Sequence, residues 1–214
     1  MELNLAEVHE AVTAANPDRE CIVWGDRRLT YAEVTDRTRR LAHVLSAHGL
    51  GCHSERAALA GHESGQDHVA LFLYNGNEYL EGMLGAFKAR AVPVNVNYRY
   101  VATELTYLLT DAGARAVIYH SAFAPALDAV RADLPHLELL LQVADDSGHE
   151  LLDGALDYEA ALAAAQRGAV APGRHLRGHH GRSALRAGRG AGRSTWCRSW
   201  ATPLAGHCPT WPCS

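Results

Sequence analysis

The sequence predicts an α/β fold for residues 1–166, with a mainly parallel sheet flanked by helices. Short apolar runs alternate there with segments whose apolar residues recur every three or four positions, the pattern of strands separated by helices. One run, Val69–Leu73, is apolar throughout, as expected of a strand covered on both faces. Helices between such strands predict right-handed βαβ units.

The first thirty residues predict a helix and a hairpin. Asn16-Pro17 would end the helix, because proline disfavours a helical residue before it. Two short strands, at 21–24 and 27–29, would pair around a turn at Gly25-Asp26. The apolar face predicted for this first helix consists of Leu3, Val8 and Val12.

A second helix is predicted to follow the hairpin. Thr30 and Glu33 have the spacing of a capping box, in which each residue satisfies a backbone N–H of the other. Gly49 would end the helix. Its predicted apolar face consists of Val34, Thr38, Leu41, Val44 and Leu45.

Strands and helices alternate after a polar segment, 51–67, that we interpret as a surface loop. Gly113 would end the helix predicted at Thr103–Ala112. The predicted order is strand Val69–Leu73, helix Asn77–Arg90, strand Val92–Val96, helix Thr103–Ala112, strand Ala116–Tyr119, helix Ala122–Ala132 and strand Leu137–Val143.

The charge distribution separates the chain into two segments. Residues 1–166 hold 12 basic and all 24 acidic residues, giving a formal charge of −12. Residues 167–214 hold eight arginines and no acidic residue, giving +8. This second segment has three Leu and one Val, too few apolar side chains to offset the entropy of ordering, so it is predicted to be a disordered Arg/Gly-rich tail.

The composition of the tail indicates a frameshift. Arg, Gly, Ala, Pro, Trp and Cys are the residues expected when GC-rich DNA is read out of frame. One set of codons for 173–182, read one base later, gives Asp-Asp-Thr-Tyr-Val-Val-Ile-Thr-Gly-Gly. That decapeptide resembles a strand entering a phosphate-binding loop, so we expect the tail to be frameshift-derived.

A cytoplasmic location is expected. The N-terminus has no basic region followed by an apolar one, and no apolar run is long enough for a transmembrane helix. Five cysteines, an odd number, argue for reduced thiols.

Several segments, taken in order, resemble the N-terminal subdomain of adenylate-forming enzymes, and within them fatty-acid and steroid side-chain acyl-CoA synthetases. The resemblance covers about residues 3–165, and the loop at 51–66 is longer than the usual family connection. The matching segments are Leu29–Val34, Arg40–Ala42, Val69–Asn75, Gly82–Ala89, Val94–Tyr100, Glu104–Leu109 and Ala114–Tyr119.

The resemblance implies that ATP activates a carboxylic acid as an acyl-adenylate and that coenzyme A then takes the acyl group. In the family this needs ATP, Mg²⁺, a Gly-rich loop ending Pro-Lys-Gly, an aromatic-Gly-x-Thr-Glu motif, a ribose-binding Asp and a C-terminal lysine. None of these motifs occurs here, so no catalytic, cofactor-binding or metal-binding residue is assigned. The one lysine, Lys88, lies in a helical pattern without a phosphate loop. We therefore expect a truncated, inactive acyl-CoA ligase that needs no cofactor as a fragment.

Two other functions are consistent with the sequence. The arginines of 167–214 could bind nucleic acid non-specifically through phosphates, with the tryptophans stacking on bases. Residues 1–166 could instead be a non-catalytic module that docks on intact synthetases.

Two groups of residues are considered as ligand sites. The Cys and His residues of the tail have no zinc-site spacing. Of Asn97-Tyr98-Arg99, the favoured interpretation is that Tyr98 packs on the sheet and Arg99 pairs with an acid; the alternative is that they face a substrate or a nucleotide.

Overall fold

Five parallel strands form the central sheet of the computed structural model, which describes residues 4–168. Two further strands form a separate antiparallel hairpin. In chain order the elements are α1 (Leu5–Ala15), β1 (Glu20–Trp24), β2 (Arg27–Thr30), α2 (Tyr31–Ala47), β3 (His68–Phe72), α3 (Asn77–Lys88), β4 (Val92–Asn95), α4 (Ala102–Asp111), β5 (Ala114–His120), α5 (Ala124–Arg131), β6 (Leu139–Val143), β7 (Leu156–Asp157) and α6 (Tyr158–Ala164), with single 3₁₀ turns at Arg56–Ala58 and Ser121–Phe123.

The strand order is β4-β3-β5-β6-β7, and every neighbouring pair is parallel. This confirms the predicted fold class and the four predicted parallel strands. The chain leaves β3 toward one side of the sheet to form β4, then crosses back to form β5 on the other side of β3. The direction of winding therefore reverses at β3.

Two apolar layers cover the two faces of the sheet. Val69 and Leu71 of β3 belong to the layer beneath α2, α3 and α6, whereas Ala70 and Phe72 belong to the layer beneath α4 and α5. Alternate residues of one strand thus enter opposite cores, which explains why this segment is apolar throughout.

The capping box at the start of α2 is present. The Thr30 hydroxyl accepts a hydrogen bond from the Glu33 N–H, and the Glu33 carboxylate accepts one from the Thr30 N–H at 2.7 Å. The predicted apolar face is buried at all five positions, Val34, Thr38, Leu41, Val44 and Leu45.

The apolar face predicted for α1 is wrong. Val8 and Val12 are 41% and 37% exposed, and Leu3 lies outside the described residues. The buried residue of this helix is Thr13, whose hydroxyl lies 2.7 Å from that of Thr35 on α2. The helix packs through polar and charged contacts, which an apolar periodicity cannot reveal.

The last elements of the described chain, β7 and α6, were not predicted. The strand has only two residues, and the helix has seven, both too short for a clear periodicity. The Asp157 carboxylate caps this helix by accepting the Ala160 N–H at 2.7 Å. Across residues 4–168, no helix is long and apolar enough to cross a membrane.

Candidate ligand site at the carboxyl edge of the sheet

The carboxyl ends of β3 and β5 form the candidate site. These strands are neighbours, but the chain after β3 enters α3 on one face, and the chain after β5 enters α5 on the other face. Diverging connections open a crevice between the two strand ends, the place where open α/β sheets bind ligands.

Aromatic rings line this crevice. The Tyr74 ring, just beyond β3, lies 4.7 Å from the Phe123 ring and 5.2 Å from the Tyr98 ring, centroid to centroid. Tyr74 and Tyr98 are 43% and 44% exposed, so their rings remain accessible to a planar ligand. We refer to Tyr74, Tyr98, Arg99, His120 and Phe123 as the carboxyl-edge cluster.

Arg99 contributes a cation to the cluster. Its guanidinium carbon lies 5.4 Å from the centroid of the Tyr98 ring, within the range of a cation–π contact. No carboxylate within residues 4–168 forms an ion pair with Arg99. The favoured interpretation, that Tyr98 packs on the sheet and Arg99 pairs with an acid, is therefore wrong: the two side chains contact each other in the exposed turn that follows β4.

His120 provides a hydrogen-bond donor. His120 is only 9% exposed, and its Nδ1 accepts a hydrogen bond from the Tyr74 N–H at 3.0 Å. Burial lowers the pKa of His120, and the nearby Glu78 and Asp145 carboxylates oppose that shift. In the neutral ring the proton is then on Nε2, for which the described part of the chain offers no acceptor.

The carboxyl-edge cluster is suited to binding rather than to bond making. It combines accessible aromatic faces, a guanidinium that can pair with an anion, and a neutral imidazole that can donate a hydrogen bond. A planar base linked to phosphates has features complementary to all three. Within residues 4–168, no group of three His, Cys, Asp or Glu side chains is arranged to hold a metal ion.

Lys88 lies away from this edge. Its side chain is 6% exposed, and its ammonium group lies 2.7 Å from the Glu10 carboxylate of α1. Burial lowers the pKa of Lys88, while Glu10 opposes the shift. The lysine joins α3 to α1 and does not contact the cluster. The tail, with its Cys, His and Trp residues, lies outside the described residues from 169 onward.

The sequence contained a usable indication of this site, although Tyr98 and Arg99 were considered for ligand contact only as the less favoured alternative and the other three residues were not predicted. Tyr74 and His120 directly follow the predicted strands Val69–Leu73 and Ala116–Tyr119, and parallel strands bring their carboxyl ends to one edge. The missing information was strand order, which makes β3 and β5 neighbours although Tyr74 and His120 are 46 residues apart.

Comparisons with known proteins agree with this architecture. The family of AMP-binding enzymes matches residues 9–172. The medium-chain acyl-CoA ligase Mig of Mycobacterium avium is 60% identical over 156 residues, which cover 73% of this chain and 28% of that protein. A medium/long-chain-fatty-acid–CoA/3-oxocholest-4-en-26-oate–CoA ligase of Mycobacterium tuberculosis is 35% identical over 163 residues, 76% of this chain and 27% of that one.

Solved structures show the same fold. The N-terminal domain of FACL13 from Mycobacterium tuberculosis superposes with a TM-score of 0.63 at 27% identity, covering 79% of this chain and 38% of that one. A fatty acyl CoA synthetase of the same organism gives 0.62 at 27% identity, covering 78% and 30%. The chain thus spans under a third of the length of the curated relatives cited above, in their N-terminal part. On the family match and the shared fold, the chain belongs to the AMP-binding enzymes and matches the N-terminal part of the acyl-CoA ligases cited above.

Proposed function

We propose that this chain is the N-terminal part of a fatty-acid or steroid side-chain acyl-CoA ligase. The whole enzyme would use ATP and Mg²⁺ to adenylate a carboxylic acid and would then transfer the acyl group to coenzyme A. The 60% identity to a medium-chain acyl-CoA ligase supports a medium-chain acid. A cytoplasmic location is consistent with the odd number of cysteines.

We propose that the chain alone does not catalyse this reaction. Adenylation requires several groups acting together on the triphosphate, and such groups are strongly non-additive. The sequence has no Gly-rich loop ending in Lys and no aromatic-Gly-x-Thr-Glu motif. Its only lysine is held by Glu10 between two helices.

The carboxyl-edge cluster is where this part of the enzyme would contact a cosubstrate. Both ATP and coenzyme A carry an adenine base and phosphates. The exposed Tyr98 ring supports stacking of the base, and Arg99, free of carboxylates within residues 4–168, supports pairing with a phosphate.

A chimera tests the proposed reaction. Residues 1–166 are joined to the remaining part of the Mycobacterium avium ligase, and carboxylate-dependent pyrophosphate release from ATP is measured. We expect turnover by the chimera and none by the 214-residue chain. Turnover by the chain itself that disappears on Lys88→Ala would contradict the proposal and place the phosphate site at this lysine.

The same chimera tests the cluster. Arg99→Ala and Tyr98→Ala should each raise the KM for ATP or coenzyme A about fivefold or more, because a charge-assisted hydrogen bond and a stacked base each contribute about 1–3 kcal/mol. Tyr107→Ala is the matched control, since this tyrosine is 70% exposed on α4. Unchanged KM values for both cosubstrates in Arg99→Ala would exclude the cluster from binding.

A second proposal concerns residues 167–214, whose charge of +8 favours non-specific binding of nucleic acid. Affinity for a DNA oligonucleotide should fall steeply with salt and ignore sequence. Deleting 167–214 should abolish binding, because residues 1–166 carry −12. Binding retained by residues 1–166 would refute this second proposal.

A further inference from the structure

A serine and a histidine are hydrogen-bonded at the amino edge of the sheet, opposite the carboxyl-edge cluster. Ser64 is exposed near the end of the 51–67 loop, and His68 is the first residue of β3. The Ser64 Oγ lies 3.1 Å from the His68 Nε2. A hydroxyl within hydrogen-bond reach of an imidazole is the arrangement that activates serine nucleophiles.

The second ring nitrogen fixes the direction of proton transfer. The His68 Nδ1 contacts the Ala112 carbonyl oxygen, which can only accept, so Nδ1 carries the ring proton. In the neutral ring Nε2 is then an acceptor for the Ser64 hydroxyl. The carbonyl plays the orienting part that a third group plays beside a catalytic base.

Gln66 makes the two other contacts of the hydroxyl. Its carbonyl oxygen lies 3.2 Å from the Ser64 Oγ, slightly farther than the imidazole, and competes for the same proton. The backbone N–H of Gln66 donates a hydrogen bond to the Ser64 Oγ at 3.4 Å. A donor directed at the oxygen favours the negative charge that develops as the proton leaves.

The loop is built to hold Ser64 in place. Cys52 and Gln66 form an isolated antiparallel bridge that closes the loop at its base. Gly65 is required there, because a Cβ would come within 2.1 Å of the Ser54 carbonyl oxygen. Beside Ser64 the loop borders an open cavity of about 250 Å³, which is room for a short acyl chain. Leu59 lines it together with polar and charged residues, among them Ser54, Glu55, Arg56, Glu63 and Arg90.

We propose that Ser64 is a nucleophile that accepts a short acyl group from an acyl-CoA thioester, with His68 as its general base. The Oγ attacks the thioester carbonyl, and its proton passes to the His68 Nε2. The carbon–sulfur bond breaks, and the proton is returned to the leaving thiolate. The products are O-acyl-Ser64 and free coenzyme A, so no oxidant or further reactant is needed. Only the choice of donor rests on the proposed function, because a ligase of this family makes such thioesters.

The experiment incubates the full 214-residue chain with butyryl-CoA and measures acylation by peptide mass spectrometry. We expect one butyryl group at Ser64 and none there in Ser64→Ala. His68→Gln should slow acylation about 100-fold or more, the usual contribution of a general base. Ser147→Ala, a substitution of an exposed serine outside this loop and its cavity, should leave the rate unchanged.

Two further measurements keep the test decisive. Circular dichroism spectra of the variants should match that of the parent chain, so that lost acylation is not lost fold; Ser64→Cys should be acylated as well, because it keeps a nucleophile at the same place. Equal acylation in His68→Gln, or none at Ser64 in the folded parent chain, would overturn the proposal. The result is independent of ligase activity, because the thioester is supplied ready made.

Discussion

Glu81 shows how a single buried charge can join three helices. This residue of α3 has no solvent exposure, yet its carboxylate accepts hydrogen bonds from Arg37 of α2 at 2.8 and 2.9 Å and from the Tyr158 hydroxyl of α6 at 2.9 Å. Asn77 donates a further hydrogen bond at 3.0 Å. Every contact is made by a charged or polar donor, so burying the charge is compensated.

Glu81→Ala should therefore destabilise the fold by about 2 kcal/mol or more, because it leaves the Tyr158 hydroxyl and the Asn77 amide buried without this acceptor, while Arg37 keeps its ion pair with Glu159. Tyr158→Phe removes one donor of four and should cost about 1 kcal/mol. The measurement is the free energy of unfolding in urea. Glu20→Ala is the control: Glu20 pairs with Arg28 at the surface, a contact that contributes less than about 1 kcal/mol. Equal losses in Glu81→Ala and Glu20→Ala would contradict this role.

His9 makes stability depend on pH. Burial lowers its pKa, as do the neighbouring cations Lys88 and Arg39, while Glu10 opposes them. Its ring also lies 6.2 Å from that of Tyr31. The unfolded chain, with a histidine pKa of about 6.5, therefore takes up the proton before the folded chain does as the pH falls. The contribution of His9 to the free energy of unfolding is therefore fully present above the pKa of the unfolded chain. It is lost as the pH falls from that pKa to the lower pKa of the folded chain.

We expect the urea concentration at the unfolding midpoint to decrease as the pH is lowered from 7.5 to 5. In His9→Gln this decrease should be smaller. The exposed His149, changed to Gln, serves as the control and should leave the slope as it is in the parent chain. A slope that is the same in His9→Gln as in the parent chain would show that His9 has no part in it.

At the scale of elements, α2 and α3 approach each other closely at a glycine. A Cβ at Gly85 of α3 would lie 2.5 Å from Leu41 Cδ2 and 2.8 Å from its Cγ, on a side chain that is itself fully buried. Glycine weakens a helix by about 1 kcal/mol relative to alanine. The close packing of these helices explains why glycine is present despite that cost.

Gly85→Ala should destabilise the fold, because overpacking typically costs about 1–3 kcal/mol and exceeds the gain in helix propensity. In a Leu41→Ala background the same change should cost nothing further, since the space is then vacant. Gly61→Ala, where a Cβ meets nothing within 4 Å, should change stability by less than about 0.5 kcal/mol. Urea unfolding of the four variants forms the test. A Gly85→Ala protein more stable than the parent would show that the helices can separate without loss.

At the scale of the whole molecule, β4 is an edge strand. Within the described residues it pairs with β3 alone, so one row of its backbone groups has no strand partner. Pro93 lacks one N–H and partly protects this edge, but Val92 and Val94 remain half-buried beside it. Such an edge can pair with another chain.

We expect the protein to self-associate with rising concentration and Asn95→Lys to reduce that association, because a charge on an edge strand disfavours pairing. Asn95 is exposed, so the change buries nothing. Thr110→Lys on α4 adds the same charge elsewhere and is the control. Light scattering measures the effect, and equal reductions by both lysines would attribute it to net charge rather than to the edge.

The sequence by itself determined the local structure and the class of fold. The capping box at Thr30, the apolar run at Val69–Leu73 and the alternation of helices and strands each follow from interactions within a few residues. Parallel pairing then follows, because helices between strands leave few other topologies. The polar packing of α1, the short β7 and the burial of Glu81 give no local pattern.

Only the tertiary structure decided which residues meet. Tyr74 and His120 become neighbours because the chain reverses its winding at β3, and the Ala112 carbonyl reaches His68 only when β3 is in place. Glu81 is accepted in the core because donors from three helices converge on it. These arrangements depend on contacts between residues far apart in the chain, whose free energy is realised only after the sheet has formed. Local propensities describe only interactions between residues close in the chain and do not include that contribution. The sequence could therefore indicate the family but not the sites.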